Sequence, residues 1–147
     1  MDCKLELVLI PVSDADRAKS FYVEQAGFEL LADNPTGLPD RPRIVQVTPP
    51  GSACSIGFGP GVTPAAPGSQ HGLHLVVSDI MAARDDLTRR GVEVGEVRHI
   101  ADGAWTPGPD PQRRSYLSFA EFTDPDGNLW LLQEIRRDPQ AQKGDDR

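Results

Sequence analysis

Two cysteines, Cys3 and Cys54, are all that this 147-residue sequence contains. Such a pair leaves no disulfide framework and, with no leader-like pattern at Met1-Asp2-Cys3-Lys4, points to a reducing cytoplasm. Basic charge is short as well: 15 Lys and Arg stand against 22 Asp and Glu, a net charge of −7. A phosphate backbone needs a basic face, so the balance argues against nucleic acid as a partner. No apolar run approaches the roughly 18 residues of a membrane span. Catalytic punctuation is also missing. The Gly59-Pro60-Gly61 run precedes linker rather than helix, so it is no phosphate loop, and there is no nucleophile elbow and no Cys-x-x-Cys pair.

What the sequence does have is repetition. Val12-Ser13-Asp14 recurs as Val77-Ser78-Asp79, Ala18 matches Ala83, Tyr22 matches Leu87, and Gly27-Phe28-Glu29-Leu30 matches Gly91-Val92-Glu93-Val94. Repetition of this kind marks one supersecondary unit used twice. In each copy an apolar run reads as a buried strand (5–12, then 71–77). A Ser-Asp pair is placed to cap a helix, an apolar stripe follows at helical spacing, and Gly27 or Gly91 stops it. Strands are predicted over 28–32, 43–48 and 53–58 in the first copy, and over 92–97, 115–123 and 129–135 in the second. Asp124-Pro125-Asp126-Gly127-Asn128 is a turn by its chemistry: Pro presets φ, Gly supplies positive φ, and Asp bonds its own backbone. Residues 99–113 read as a long irregular loop of the kind that is often functional.

The order is β-α-β-β-β twice, an α+β layout. It predicts a single domain over 1–136, with module one at 4–60, a Gly/Pro-rich linker at 59–70, module two at 71–135 and a flexible tail at 137–147.

Pro11-Val12-Ser13-Asp14 with Arg17-Ala18-Lys19-Ser20-Phe21-Tyr22 and Gly27-Phe28, joined with the Asp124–Asn128 turn before a closing strand, resembles the vicinal oxygen chelate superfamily of glyoxalase I, bleomycin-resistance and extradiol-dioxygenase proteins. The resemblance covers residues 4–135. It implies two βαβββ modules forming a curved mixed sheet with a central cleft, and commonly a homodimer. It also implies a divalent metal held by His and Glu at four strand positions. Carried onto this sequence, those positions are Leu7, Gly72, Leu131 and one at or next to Ile56, and none is a usual ligand. The family's metal-free resistance and sequestration proteins therefore give the closer expectation: a small, largely apolar or aromatic ligand, no cofactor and no metal. The alternative is a metal-dependent or metal-free lyase, isomerase or dioxygenase of the same superfamily with non-standard site residues.

Several side chains are candidates for the ligand site. Leu7, Leu9, Ile56, Phe58, His74, Leu131 and Gln133 are predicted to line it, with Trp105 covering it and Arg114 available for an anionic group. His74 lies in phase with Gly72 and reads as a structural histidine, a ligand-contacting donor or acid/base, or a metal ligand. Gln46 reads either as a ligand contact or as a solvent-facing amide. Trp130, out of phase with Leu131, reads as helix-facing core. Cys54 reads as a small buried hydrophobe or a reactive thiol.

Overall fold

The computed structural model describes residues 1–34 and 42–137. The tail predicted over 137–147 lies, past residue 137, outside the described residues, as does most of the turn region at 34–42. The elements are β1 (Leu7–Leu9), α1 (Ala15–Ser20) continued by a π-helical turn (Phe21–Gln25), β2 (Glu29–Asp33), β3 (Val45–Thr48), β4 (Ser55–Phe58), β5 (Leu73–Val77), α2 (Ile80–Arg89), β6 (Arg98–Ala101), β7 (Ala104–Pro107), β8 (Ser118–Thr123) and β9 (Leu129–Glu134). They form a four-stranded sheet, β1-β4-β3-β2, and a five-stranded sheet, β5-β9-β8-β6-β7. Each sheet has one parallel pair, β1 with β4 and β5 with β9, so both are mixed. The architecture is α+β. Among the described residues the chain divides into two compact units, 1–71 with 123–129, and 72–122 with 130–137.

In the first unit the capping residue is Asp14, whose carboxylate accepts from Asp16 N and Arg17 N at 3.0 and 3.1 Å. The π-helical turn places Phe21 and Tyr22 in the core. Tyr22 packs its ring 5.5 Å from that of Phe28 and 5.6 Å from that of Phe58. Its hydroxyl donates to Asp124 Oδ2 at 2.7 Å. Asn128 Nδ2 donates to the same oxygen and to Pro11 O, each at 2.8 Å. Asp126 accepts from Ser13 Oγ at 2.5 Å and from Arg17 Nη2 at 3.2 Å. The two sequence motifs that carry the family resemblance are therefore one hydrogen-bonded clasp. Gly68 closes against it: its φ is +82°, and a Cβ there would stand 2.1 Å from Asp126 O.

The second unit repeats the cap, with Asp79 accepting from Met81 N and Ala82 N. Two elements differ from expectation. The segment 92–97 buries Val92, Val94 and Val97 with strand-like alternation, yet it forms no ladder. The Arg84 guanidinium takes its carbonyls instead, Nε donating to Gly95 O at 2.7 Å and Nη2 to Val94 O at 3.2 Å. The ladder starts later, and the predicted loop at 99–113 contains the β6–β7 hairpin. Its tip is Asp102-Gly103, both at positive φ (52° and 78°), the two-residue turn whose twist matches paired strands.

Candidate functional site

Register decides which side chains share a face. In the first unit Leu7 pairs with Ser55 and Leu9 with Gly57, while Val47 pairs with Ile56 and Val45 with Phe58. Leu7 and Leu9 accordingly fold over Gly57: a Cβ on that glycine would meet their methyl groups at 3.1 and 3.2 Å. Ile56 and Phe58, expected beside them, sit on the opposite face. They are buried in the core with Val45 and Val47, Phe58 against Tyr22. All four β4 residues are buried, so hydrophobicity alone carries no phase, and only pairing reveals it. The strand position opposite Leu7 is thus Ser55, whose hydroxyl is hydrogen-bonded to that of Thr48 at 2.7 Å.

In the second unit His74 pairs with Leu131 and Val76 with Gln133. Trp130 and Leu132, in the opposite phase, are core; Trp130 stacks on Phe122 at 6.0 Å. His74 is exposed and, among the described residues, has no hydrogen-bond partner. Gln133 Nε2 donates to Tyr116 O at 3.2 Å. Arg98 pairs with Phe119 and Pro107, and Ile100 with Trp105, so these side chains share one face with Glu121. Along β8 and β9 the buried residues alternate with 119, 121, 131 and 133, which places His74, Leu131 and Gln133 on that same face.

The β6–β7 side of this face is the most elaborated place in the unit. The Arg98 guanidinium carbon lies 4.4 Å from the centroid of the Trp105 ring, a cation–π contact. Its Nη2 donates to Glu121 Oε1 at 2.5 Å. Trp105 in turn meets Phe119 edge-on, with centroids 5.7 Å apart and an interplanar angle of 86°. A groove of about 340 Å³ runs here, lined by Gly95, Glu96, Arg98, Trp105, Pro107 and Glu121. Trp105 is 53% exposed. Arg98 Nε is shielded from water and has no acceptor. An unmet buried donor costs on the order of 1–3 kcal/mol.

Arg114, expected to serve a ligand, is held elsewhere. Its Nε and Nη2 donate to the two oxygens of buried Asp110 at 3.0 and 2.7 Å, and this fork holds the Asp110 carboxyl well below the usual range. Neighbouring Arg113 grips Glu134 at 3.0 and 2.8 Å. Burial alone would raise the Glu134 carboxyl, but the Arg113 fork and the Ile80 N–H outweigh it and hold it low. Both arginines thus brace the turn before β8 and the start of α2, and the arginine that faces the groove is Arg98. Only its place after a strand-like run marked it in the sequence. The turn signal that could have exposed it is Asp102-Gly103.

A divalent metal does not fit the residues at the family's ligand positions. Leu7 and Leu131 have no donor atom, Gly72 no side chain, and the fourth strand offers a hydroxyl engaged with Thr48 at Ser55 and then Gly57. His99, the other histidine of the second sheet, is buried in the opposite phase from Glu121, its Nδ1 2.7 Å from Gly108 O. Among the described residues no three His, Cys, Asp or Glu side chains are grouped to hold an ion. No described helix is long and apolar enough to cross a membrane.

The comparisons agree with this architecture. Among solved structures, the chain is 35% identical to TnmS3, an antibiotic binding protein from Streptomyces sp. CB03234, with 91% of this chain and 97% of that one covered and a TM-score of 0.69. It is 32% identical to a glyoxalase/bleomycin resistance protein/dioxygenase superfamily member from Sphaerobacter thermophilus DSM 20745, covering 90% and 98% with a TM-score of 0.67. It is 28% identical over 131 residues to the uncharacterized protein YetH of Bacillus subtilis (strain 168), spanning 86% of this chain and 94% of that protein. The model of the Glyoxalase/Bleomycin resistance protein/Dioxygenase superfamily matches residues 4–132. The chain belongs to that superfamily.

Proposed function

We propose that this protein binds a small, largely apolar or aromatic molecule without a metal, for sequestration or resistance. The observation that carries the reading is the aromatic shelf of Trp105 and Phe119 on an open sheet face, with an ordered cation above the indole. Ligand sites combine apolar and aromatic walls with a few placed polar groups, which is what the groove offers. His74, Leu131 and Gln133 share this face and are proposed to extend the contact. The lack of donors at the family's metal positions supports the same reading, as does the likeness to an antibiotic binding protein. The homodimer and the cytoplasmic location expected from the sequence are part of the proposal.

Titration with a panel of aromatic antibiotics tests it. Trp130 is buried and Trp105 exposed, so a bound aromatic should quench the emission of Trp105 and leave Trp105→Phe nearly silent. Saturation at a hundred times Kd should stabilise the fold by about 2.7 kcal/mol, visible as a raised Tm. Both responses should survive dialysis against EDTA. A stoichiometric Zn, Ni, Mn or Fe, whose removal abolishes binding, would overturn the metal-free reading.

One observation favours a second reading. The unpartnered imidazole of His74 stands beside Leu131 on the open face, where acid/base chemistry would be placed. If His74→Ala abolishes turnover of a compound that the protein still binds, the protein is an enzyme. Equal behaviour of the two forms leaves His74 a surface contact.

A further inference from the structure

The groove at β6–β7 carries one polar group that its surroundings do not satisfy. Arg98 makes a single side-chain hydrogen bond, from Nη2 to Glu121, and its guanidinium lies on the Trp105 ring. Nε is buried and without an acceptor. Water does not reach it, so an acceptor arrives only with a molecule that moves the guanidinium. An aromatic ring that takes its place over the indole does both things. It replaces a cation–π contact by ring stacking, and it brings its own oxygen to the N–H groups released.

Charge narrows the class of molecule. Two carboxylates, Glu96 and Glu121, line the groove with one guanidinium, in a chain of net charge −7. An anionic ligand would meet repulsion there, whereas a neutral carbonyl needs only the donor. We infer that Arg98 is a specificity-determining residue that selects neutral planar aromatic ligands bearing a ring ketone, the ring stacking on Trp105 and the carbonyl oxygen accepting from the guanidinium. This rests on the proposed binding function and adds the ligand's polar group to it.

Fluorenone and fluorene make the test, because the two planar tricycles differ at one carbon, a ketone in one and a methylene in the other. Burial alone favours the hydrocarbon, since a ketone loses its hydration. Equilibrium dialysis should show the opposite for the wild-type protein, with fluorenone bound about tenfold more tightly. In Arg98→Met the preference should fall to within about twofold, fluorenone weakening while fluorene holds or tightens, because no guanidinium has to leave the indole. Retained fluorene binding also shows that the variant is folded; Glu121, 39% exposed, is then solvated. No preference in the wild type, or an equal preference in Arg98→Met, overturns the role of Arg98 and leaves the binding function standing. If neither tricycle binds, the ring-ketone class is overturned, and the antibiotic panel alone then decides whether the binding function stands.

Discussion

The hydroxyl of Tyr22 shows how much a single atom carries. It is buried and donates at 2.7 Å to a carboxylate that also orders the turn at 124–128. Tyr22→Phe keeps the ring stacking and removes only that bond, and urea denaturation should register a loss of about 1–3 kcal/mol. Asp33 gives a pH signature. The Arg43 fork at 3.0 Å, and after it Lys19 at 2.9 Å, hold its carboxyl at about 2, below the ordinary 3.8. A lowered carboxyl stabilises the fold fully above its unfolded value and loses that contribution as pH falls through the folded one. Asp33→Asn should therefore melt lower than wild type at pH 7, with the gap closing as pH falls from 3.8 toward 2. A gap that keeps its full pH 7 size at pH 2 would trace the loss to something other than ionisation. At this scale the sequence displayed side-chain chemistry but not phase: Ile56 and Phe58 looked as available as Leu7 and Leu9 until pairing with β1 and β3 assigned their sides.

Among elements, the β6–β7 hairpin matters most for the site because it presents Trp105. Its tip requires positive φ at Asp102 and Gly103. Gly103→Val has space for the side chain but not the backbone conformation, at a cost of about 1–2 kcal/mol. Amide exchange should quicken across 98–107 and aromatic ligands should weaken, while α1 keeps its protection. Unchanged exchange in the hairpin would show that the tip does not hold it. The capped helices and the Asp124–Asn128 turn were legible, since each rests on local chemistry that a short window contains. The hairpin was obscured by the prolines and glycines around it, although Asp-Gly is itself a strong signal for such a turn. The segment 92–97 misled in the other direction. Its alternating valines report burial truly, but a ladder needs free carbonyls, and Arg84, 10 and 11 positions upstream, already holds two of them.

At the scale of the molecule, the doubled strand-helix-strands pattern was legible because it is written twice. The grouping of the turn at 123–129 was not legible. Residues 123–129 lie in sequence between β8 and β9, yet they group with residues 1–71. Asp124, Asp126 and Asn128 there match the hydroxyl of Tyr22, Ser13 and the carbonyl of Pro11. A fragment ending at His71 would lack all three partners, and it should give the poorly dispersed NMR spectrum of an unfolded chain. Repetition in the sequence thus does not confer independence on the copies: cutting the gene at its middle would leave the leading half without its fastener.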